Sequence, residues 1–451
     1  MISKDLLWDD FAKPLREEWN NEFTKSLKGA VPSFIADSSL HLQPLYTREE
    51  SGDNLGKPGM APFTRGIRAS GNDWITVEYI GRDEAINCNK MALAALQEGI
   101  GGIRFDCSNS HPEILPSLLK DIHLAYIQSE FVINGHYSEW IEVLSSLQGE
   151  PGINQGFGVF LQDSIDFNRF TSLAANFKSA QGKMALPRFA RIDAAGIANR
   201  GAGIINRLAI SIALGHELFI RMLQSGFSPD DAGALLHADI AIGPDFLTEV
   251  SGLRAFRRLW AEVVARYTPV HACSAGIHVH TETAIWNFSV ADRYNNLLRA
   301  TGSAMASVLG NCNSHAAMPY DLVSLPADSN SSHMARSIQF LLKDESFFHR
   351  VGDPAGGSYF IEQLTDMLCE AAWAGFLKLE EMGGISTEQG KALAEEWISH
   401  DAQFLKQEIQ SGNRSWIGVN RFPPKNTESL EPREIEMKRI ELEGDLKQKG
   451  K

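Results

Sequence analysis

From about Trp74 to Glu362 the chain alternates short β-like runs with longer segments of helical periodicity. Eight runs carry the β-type pattern: GGIRFDC, SEFVIN, GFGVFLQD, ARIDAAG, LLHADIAIG, AGIHVHTE, NSHAAMPYD and GGSYFIE. Helices are plain between several of them, notably Ile204 to Leu223, ended by Gly226, and Phe246 to Tyr267, ended by Pro269. Parallel strands need crossover connections, so this alternation predicts an α/β chain with a parallel sheet. Eight repeats predict closure into a (β/α)8 TIM barrel whose chemistry sits at the carboxyl ends of the strands.

The flanks read differently. Residues 1–60 form an N-terminal arm suited to subunit contacts. An amphipathic helix comes first (Leu6, Trp8, Phe11, Leu15, Trp19, Phe23), then an extended LQPLY, then a loop rich in glycine and charge. Exposed Trp and Leu stripes of this kind usually mark an interface. The barrel is assigned to residues 61–410. After Gly383 two more helical segments are predicted, and residues 411–451 read as a charged tail with too little apolar material for another domain.

Charge then narrows the partners. With 42 Lys+Arg against 56 Asp+Glu the net charge is −14, which argues against a nucleic-acid partner, since phosphate neutralisation needs excess cations. Five widely spaced cysteines, with no C-x-x-C pair, fit neither a disulfide framework nor a thiolate zinc site and suit a reducing cytoplasm. Asp5, Asp9 and Asp10 stand where a secretory leader needs an apolar core, and no apolar run approaches the roughly 18 residues that span a bilayer. A cytoplasmic, non-membrane protein is expected.

Candidate chemistry concentrates at Gly276-Ile-His-Val-His-Thr-Glu282. Strand alternation puts His278, His280 and Glu282 on one face. An H-x-H pair with a carboxylate is a metal-ligand pattern of hydrolase barrels, but it needs further ligands on later strands. Only His315 and His333 follow nearby, so hydrogen-bonding pocket histidines are the expectation and no metal is assigned. Asp353-Pro-Ala-Gly-Gly-Ser-Tyr359 could offer backbone N–H groups to a phosphate, or be a tight turn into a strand. Asp106 and Asp193 sit at the first and fourth runs, where an acid or base could act or where a carboxylate caps a loop. Asp121-Ile-His123 begins like the D-x-H-x-x-G of cobalamin domains, but position 126 is Tyr, and chance explains the match.

Several longer stretches, LHADIAIGPDFLTEVSGLRAFRRLW at 236–260, YNNLLRAT at 294–301, DPAGGSYFIEQLTD, LQPLYTRE, Thr64-Arg65-Gly66 and GGIRFDCSN, resemble the methylmalonyl-CoA mutase family over roughly residues 5–420. The resemblance implies a (β/α)8 barrel threaded along its axis by coenzyme A, and a C-terminal cobalamin domain that this sequence lacks. The departures shape the reading. Catalytic members resemble S-G-Y-H-x-x-E-A-G-A beyond the fourth predicted strand, and their Tyr-His pair corresponds here to Ala195 and Gly196. A second family tyrosine, expected between Arg65 and Trp74, is replaced by IRASGND. Members resemble R-x-H-S-Q where this chain has His278-Val-His280-Thr-Glu282, so only His280 survives. Each lost electrostatic donor costs about 10²–10³ in rate. The pattern is similar to the small, or β, subunit of heterodimeric members. It implies a non-catalytic barrel paired with a larger catalytic subunit that carries adenosylcobalamin. Arg65, His278, His280 and Glu282 are then remnants of an acyl-CoA site. Two alternatives stay open: an active barrel of a split acyl-CoA mutase served by a separate cobalamin protein, and a metal-dependent hydrolase on His278 and His280.

Overall fold

The computed structural model describes residues 15–27, 34–37, 40–47, 56–81, 83–147, 157–161, 166–182, 186–324, 329–424 and 440. The chain separates into two compact units, Met1–Leu45 and Tyr46–Lys451. In the first, a helix spans Arg16–Ser26 and none of its residues is buried, with Trp19 stacked on Phe23 one turn later at 4.9 Å. Strands β1 (Phe34–Asp37) and β2 (Leu40–Leu42) pair antiparallel, and Arg16 Nη2 donates to Leu45 O at 2.6 Å. Leu6, Trp8 and Phe11 of the predicted amphipathic helix lie outside the described residues.

The second unit is built on eight parallel strands: β3 (Ile75–Ile80), β4 (Gly102–Asp106), β5 (Gln128–Ile133), β6 (Phe157–Leu161), β7 (Ala190–Asp193), β8 (Leu236–Ile242), β9 (His278–Thr283) and β10 (Ser314–Ala316). Their order is β6-β5-β4-β3-β10-β9-β8-β7. A parallel bridge between Gly158 and Arg188, with Val159 N donating to Arg188 O at 2.9 Å, joins the two ends and closes the barrel. Helices cover the outside. Ile204–Gln224, Phe246–Ala265 and Tyr359–Glu381 bury apolar stripes there, and Trp260 is fully enclosed. All seven residues of β8 are buried, as expected for a strand covered on both faces. Among the described residues no helix is long and apolar enough to cross a membrane.

The predicted barrel is present, but two of its assignments move. GGSYFIE is not a strand: Ser358 precedes a helix over Tyr359–Glu381, and Gly357 N donates to Glu362 Oε1 at 2.9 Å in its first turn. The apolar Tyr-Phe-Ile triplet looks β-like alone, yet the buried series Ile361, Leu364, Leu368, Ala372, Phe376 and Leu379 has helical spacing. The first strand is instead Ile75-Thr-Val-Glu-Tyr-Ile80. Its outward Glu78 pairs with Arg336 on a covering helix, which gives a barrel strand the polar look of an exposed segment. Every later strand therefore advances by one, so Asp193 ends the fifth strand and His278 begins the seventh. After Gly383 the described residues hold a single helix, Glu388–Ser411, where two were predicted. In the segment expected as a charged tail, Trp416 and Ile440 are buried, in a cluster with Leu405 and Ile409.

Packing between helix and sheet is tight enough to invert a propensity rule. A Cβ on Gly215, mid-helix in Ile204–Gln224, would lie 2.5 Å from Ile192 Cδ1 and 2.7 Å from Trp260 Cζ3, whereas one on Gly302, in the helix Asn295–Leu309, meets nothing within 4 Å. Gly302→Ala is expected to stabilise the protein by about 0.5–1 kcal/mol through helix propensity. Gly215→Ala is expected to destabilise it by about 1–3 kcal/mol through overpacking. Urea unfolding of both variants checks this, and a stabilising Gly215→Ala contradicts the described packing.

Candidate functional site

Alternation along the strands turns every second side chain into the barrel. Here that inner face is polar. Arg104 on β4 is its hub: Nε donates to Glu130 Oε2 on β5 at 2.6 Å, Nη1 to Asp239 Oδ2 on β8 at 2.7 Å and to Tyr79 Oη on β3 at 3.0 Å, and Nη2 to Asp239 Oδ1 at 2.8 Å. Strands β4 and β8 stand opposite one another in the ring, so the guanidinium crosses the barrel axis. It also lies over the rings of Tyr79 and Phe160, at 4.9 and 5.5 Å from their centroids. His237 Nε2 sits 2.7 Å from Asp239 Oδ1, and Gln128 Nε2 donates to Glu130 Oε1 at 2.8 Å. Arg104, Glu130, His237, Asp239, His280 and Glu282 are each at most 6% exposed.

The charges in this interior are fixed by one another. Burial, the largest single influence, raises Glu130 and Asp239, but Arg104 and after it His237 and His280 together outweigh it, leaving Glu130 at about 2 and Asp239 well below the carboxylate range. Burial also opposes the charge on Arg104, and Asp239 and Glu130 more than restore it. Burial pushes His237 down and His278 and His280 well down, so these imidazoles are neutral. Glu282 is different: burial, then the Asp239 charge, raises it to about 7. Tyr79 Oη lies 2.7 Å from both Glu282 Oε2 and His280 Nε2, and one phenolic proton serves only one of them. A protonated Glu282 supplies the second hydrogen, and His280 Nδ1 continues the chain to Ser314 Oγ at 2.8 Å.

The structure brings His278, His280 and Glu282 together on the inner face, but gives each an internal partner. His278 Nε2 reaches Ser314 Oγ at 3.1 Å. His315 points out of the barrel to Thr281 Oγ1 at 3.0 Å, and exposed His333 pairs with Glu98, so neither joins the β9 histidines in a ligand set. Arg65 is elsewhere. Its Nε donates to Asp353 Oδ2 at 2.7 Å, and buried Arg254 binds the same carboxylate. The loop 353–358 thus presents an anion to arginines; of the two readings of the sequence, a tight turn or amides for a phosphate, it is the turn, and it leads into a helix and not a strand. Gly66, at φ +92°, admits the close approach of Asn311, whose Nδ2 donates to Arg65 O at 2.9 Å.

Ala195 and Gly196 lie in the short helix Ala194–Asn199 that follows β7. Asp193 caps that helix by accepting from Gly196 N at 2.8 Å, and a Cβ on Gly196 would fall 2.9 Å from Asp193 Oδ2. Ala195, Ala198, Ala241 and Ala284 pack together beneath Trp286. Asp106 likewise serves its own loop, accepting from Ser108 N at 3.0 Å and Ser108 Oγ at 2.5 Å. Trp416 and Ile440 pack over this end, with Trp416 Nε1 donating to Asn287 O at 2.9 Å and Ile440 N to Asn199 O at 2.8 Å. Two clefts among the described residues, one lined by Ala194, Arg207 and Glu249 and the other by Gly81, Cys88 and Cys107, include none of the Arg104 network.

Tyr79, Arg104, Glu130, His237 and Asp239 went unmarked in the sequence. A signal was present: each is a polar or ionisable residue in a parallel strand covered by helices, and such a group must find its partner inside the barrel. A carboxyl whose folded pKa exceeds its unfolded value near 4.5 gives stability that is complete below about pH 4.5 and is lost as pH rises through about 7. Relative to Glu282→Gln, the protein should therefore lose ~3 kcal/mol between pH 4.5 and 8. Urea unfolding at the two pH values measures this, and an unchanged difference between the two proteins contradicts a buried neutral Glu282.

Comparison with known proteins places the chain. The sequence model of the family described as Methylmalonyl-CoA mutase matches residues 171–447. The methylmalonyl-CoA mutase small subunit of Porphyromonas gingivalis is 28% identical over 452 residues, covering 93% of this chain and 71% of that protein. Methylmalonyl-CoA mutase of Cereibacter sphaeroides is 29% identical over 456 residues, covering 90% and 64%, and the human mitochondrial methylmalonyl-CoA mutase is 26% identical over 468 residues, covering 93% and 62%. The chain thus spans less than two thirds of the length of the last two. With a family match over more than half its residues, this parallel-stranded barrel belongs to the methylmalonyl-CoA mutase family, whose members are isomerases.

Proposed function

We propose that this chain is the small, non-catalytic subunit of an adenosylcobalamin-dependent methylmalonyl-CoA mutase, supporting a larger subunit on which methylmalonyl-CoA and succinyl-CoA interconvert. The observation that carries the proposal is the Arg104 bridge. A barrel that takes coenzyme A along its axis must keep that axis clear, and here a charged side chain spans it from β4 to β8 with carboxylates at both ends. Opening that path leaves Glu130 and Asp239 buried without their cation, which costs about 3–5 kcal/mol.

Two further features agree with this reading. Ala195 and Gly196 offer no side-chain donor to a thioester carbonyl, and Asp193 fills the space that a larger residue at 196 would need. His278, His280 and Glu282, read as remnants of an acyl-CoA site, serve instead as rungs of the interior network. The arm supplies a surface for the partner: its helix Arg16–Ser26 has no buried residue and carries Trp19 and Phe23 on one stripe, with Leu15 beside them 67% exposed.

Adenosylcobalamin supplies the radical chemistry of such a complex, and the described residues of this chain do not fit it. Asp121 and His123, the pair with cobalt-ligand spacing, lie in the loop ahead of β5, at the amino-terminal end of the barrel, and the His123 ring meets Tyr126 at 6.3 Å. The corrin is therefore assigned to the partner, and both chains to the cytoplasm.

The purified chain with adenosylcobalamin and methylmalonyl-CoA is expected to form no succinyl-CoA, alone or with a small cobalamin protein, and to co-purify with a larger cobalamin-bearing homologue whose turnover is measurable. Turnover by this chain with a small cobalamin protein alone would instead establish it as the active barrel of a split mutase.

A further inference from the structure

Away from the barrel interior, two loops leaving adjacent strands gather two imidazoles and a carboxylate. His111 stands before the turn Pro112–Ile114 that follows β4. His136 stands before the helix Tyr137–Leu147 that follows β5, and Glu139 lies in the first turn of that helix. His111 Nε2 is 2.6 Å from Glu139 Oε2, and His136 Nδ1 is 3.4 Å from Glu139 Oε1. The two rings meet edge to face with centroids 4.7 Å apart, and one donor atom from each residue falls within 4.8 Å of the others. The three side chains are 43 to 54% exposed, so an ion reaches them without unfolding.

We propose that His111, His136 and Glu139 bind one divalent transition-metal ion, with zinc the ion that suits the donor set. Tetrahedral zinc with bonds of about 2.0–2.2 Å holds neighbouring donors roughly 3.3 Å apart. The 3.4 Å separation at His136 already has that span, and the 2.6 Å approach of the His111 imidazole to the Glu139 carboxylate is a close contact that a metal ion replaces and widens. Glu113 Oε1 stands 3.9 Å from His111 Nδ1, the ring nitrogen left over, where a carboxylate can fix the tautomer of a ligating histidine. Three protein ligands leave a fourth position for water. The site lies on the carboxyl-terminal face of the strands, where barrels of this kind place their chemistry, and ties the β4 and β5 loops together. It stands independently of the subunit assignment.

The test uses the full chain carrying Cys273→Ser, which removes the exposed thiol as a competing ligand. Zinc(II) is titrated calorimetrically in chelator-free buffer, and cobalt(II) binding is followed by its visible absorption. One ion per chain is expected, with His111→Ala and His136→Asn each weakening binding at least tenfold. Asparagine tolerates the left-handed backbone at 136, φ +52°, so the second variant keeps the fold while removing the imidazole. His333→Ala, at the other exposed His–Glu pair, is expected to change nothing. No binding at micromolar zinc, binding indifferent to both His111→Ala and His136→Asn, or binding lost with His333→Ala would each overturn the proposal.

Discussion

The contact on which the rest of this barrel depends is the one between Arg104 and the two carboxylates that face it. A parallel barrel normally fills its interior with branched apolar side chains. This one places a cation at the centre, and a buried cation is tolerable only if its donors are all met. Each nitrogen of the guanidinium has a carboxylate or phenol oxygen within 3.0 Å. The remaining interior follows from that choice: Glu130 and Asp239 must stay ionised, the histidines beside them must stay neutral, and Glu282 holds its proton up to about pH 7.

That interior also explains why the departures from the mutase pattern occur together. A conduit for an acyl-CoA and a cross-axis ion bridge cannot share one barrel. On the function proposed above, donors at the strand ends have no substrate to meet once the axis is spanned, and small residues that pack well can stand there. Ala195, Ala198, Ala241 and Ala284 form such a cluster under Trp286, and the segment carrying Trp416 packs on the same end.

Much of this was legible in the sequence, for physical reasons. Seven of the eight strands stood out because strands covered on both faces are short apolar runs between turn signals. Ile75–Ile80 escaped because its outward Glu78 finds Arg336, a partner distant in sequence. GGSYFIE misled because three apolar residues in a row fit a strand or the first turn of a buried helix equally well. The site was only half visible. His278, His280 and Glu282 announce themselves by period-two spacing, whereas Arg104, Glu130 and Asp239 acquire meaning only once closure sets β4 opposite β8. Ala195 and Gly196 were legible solely by resemblance, since alanine and glycine carry no chemical signal of their own.

The central claim, that the axis of this barrel is spanned and takes no acyl-CoA, is tested most directly by titrating the full chain with methylmalonyl-CoA in a calorimeter. The account predicts no heat and no thermal stabilisation up to millimolar ligand, and micromolar binding at one site per chain would contradict it.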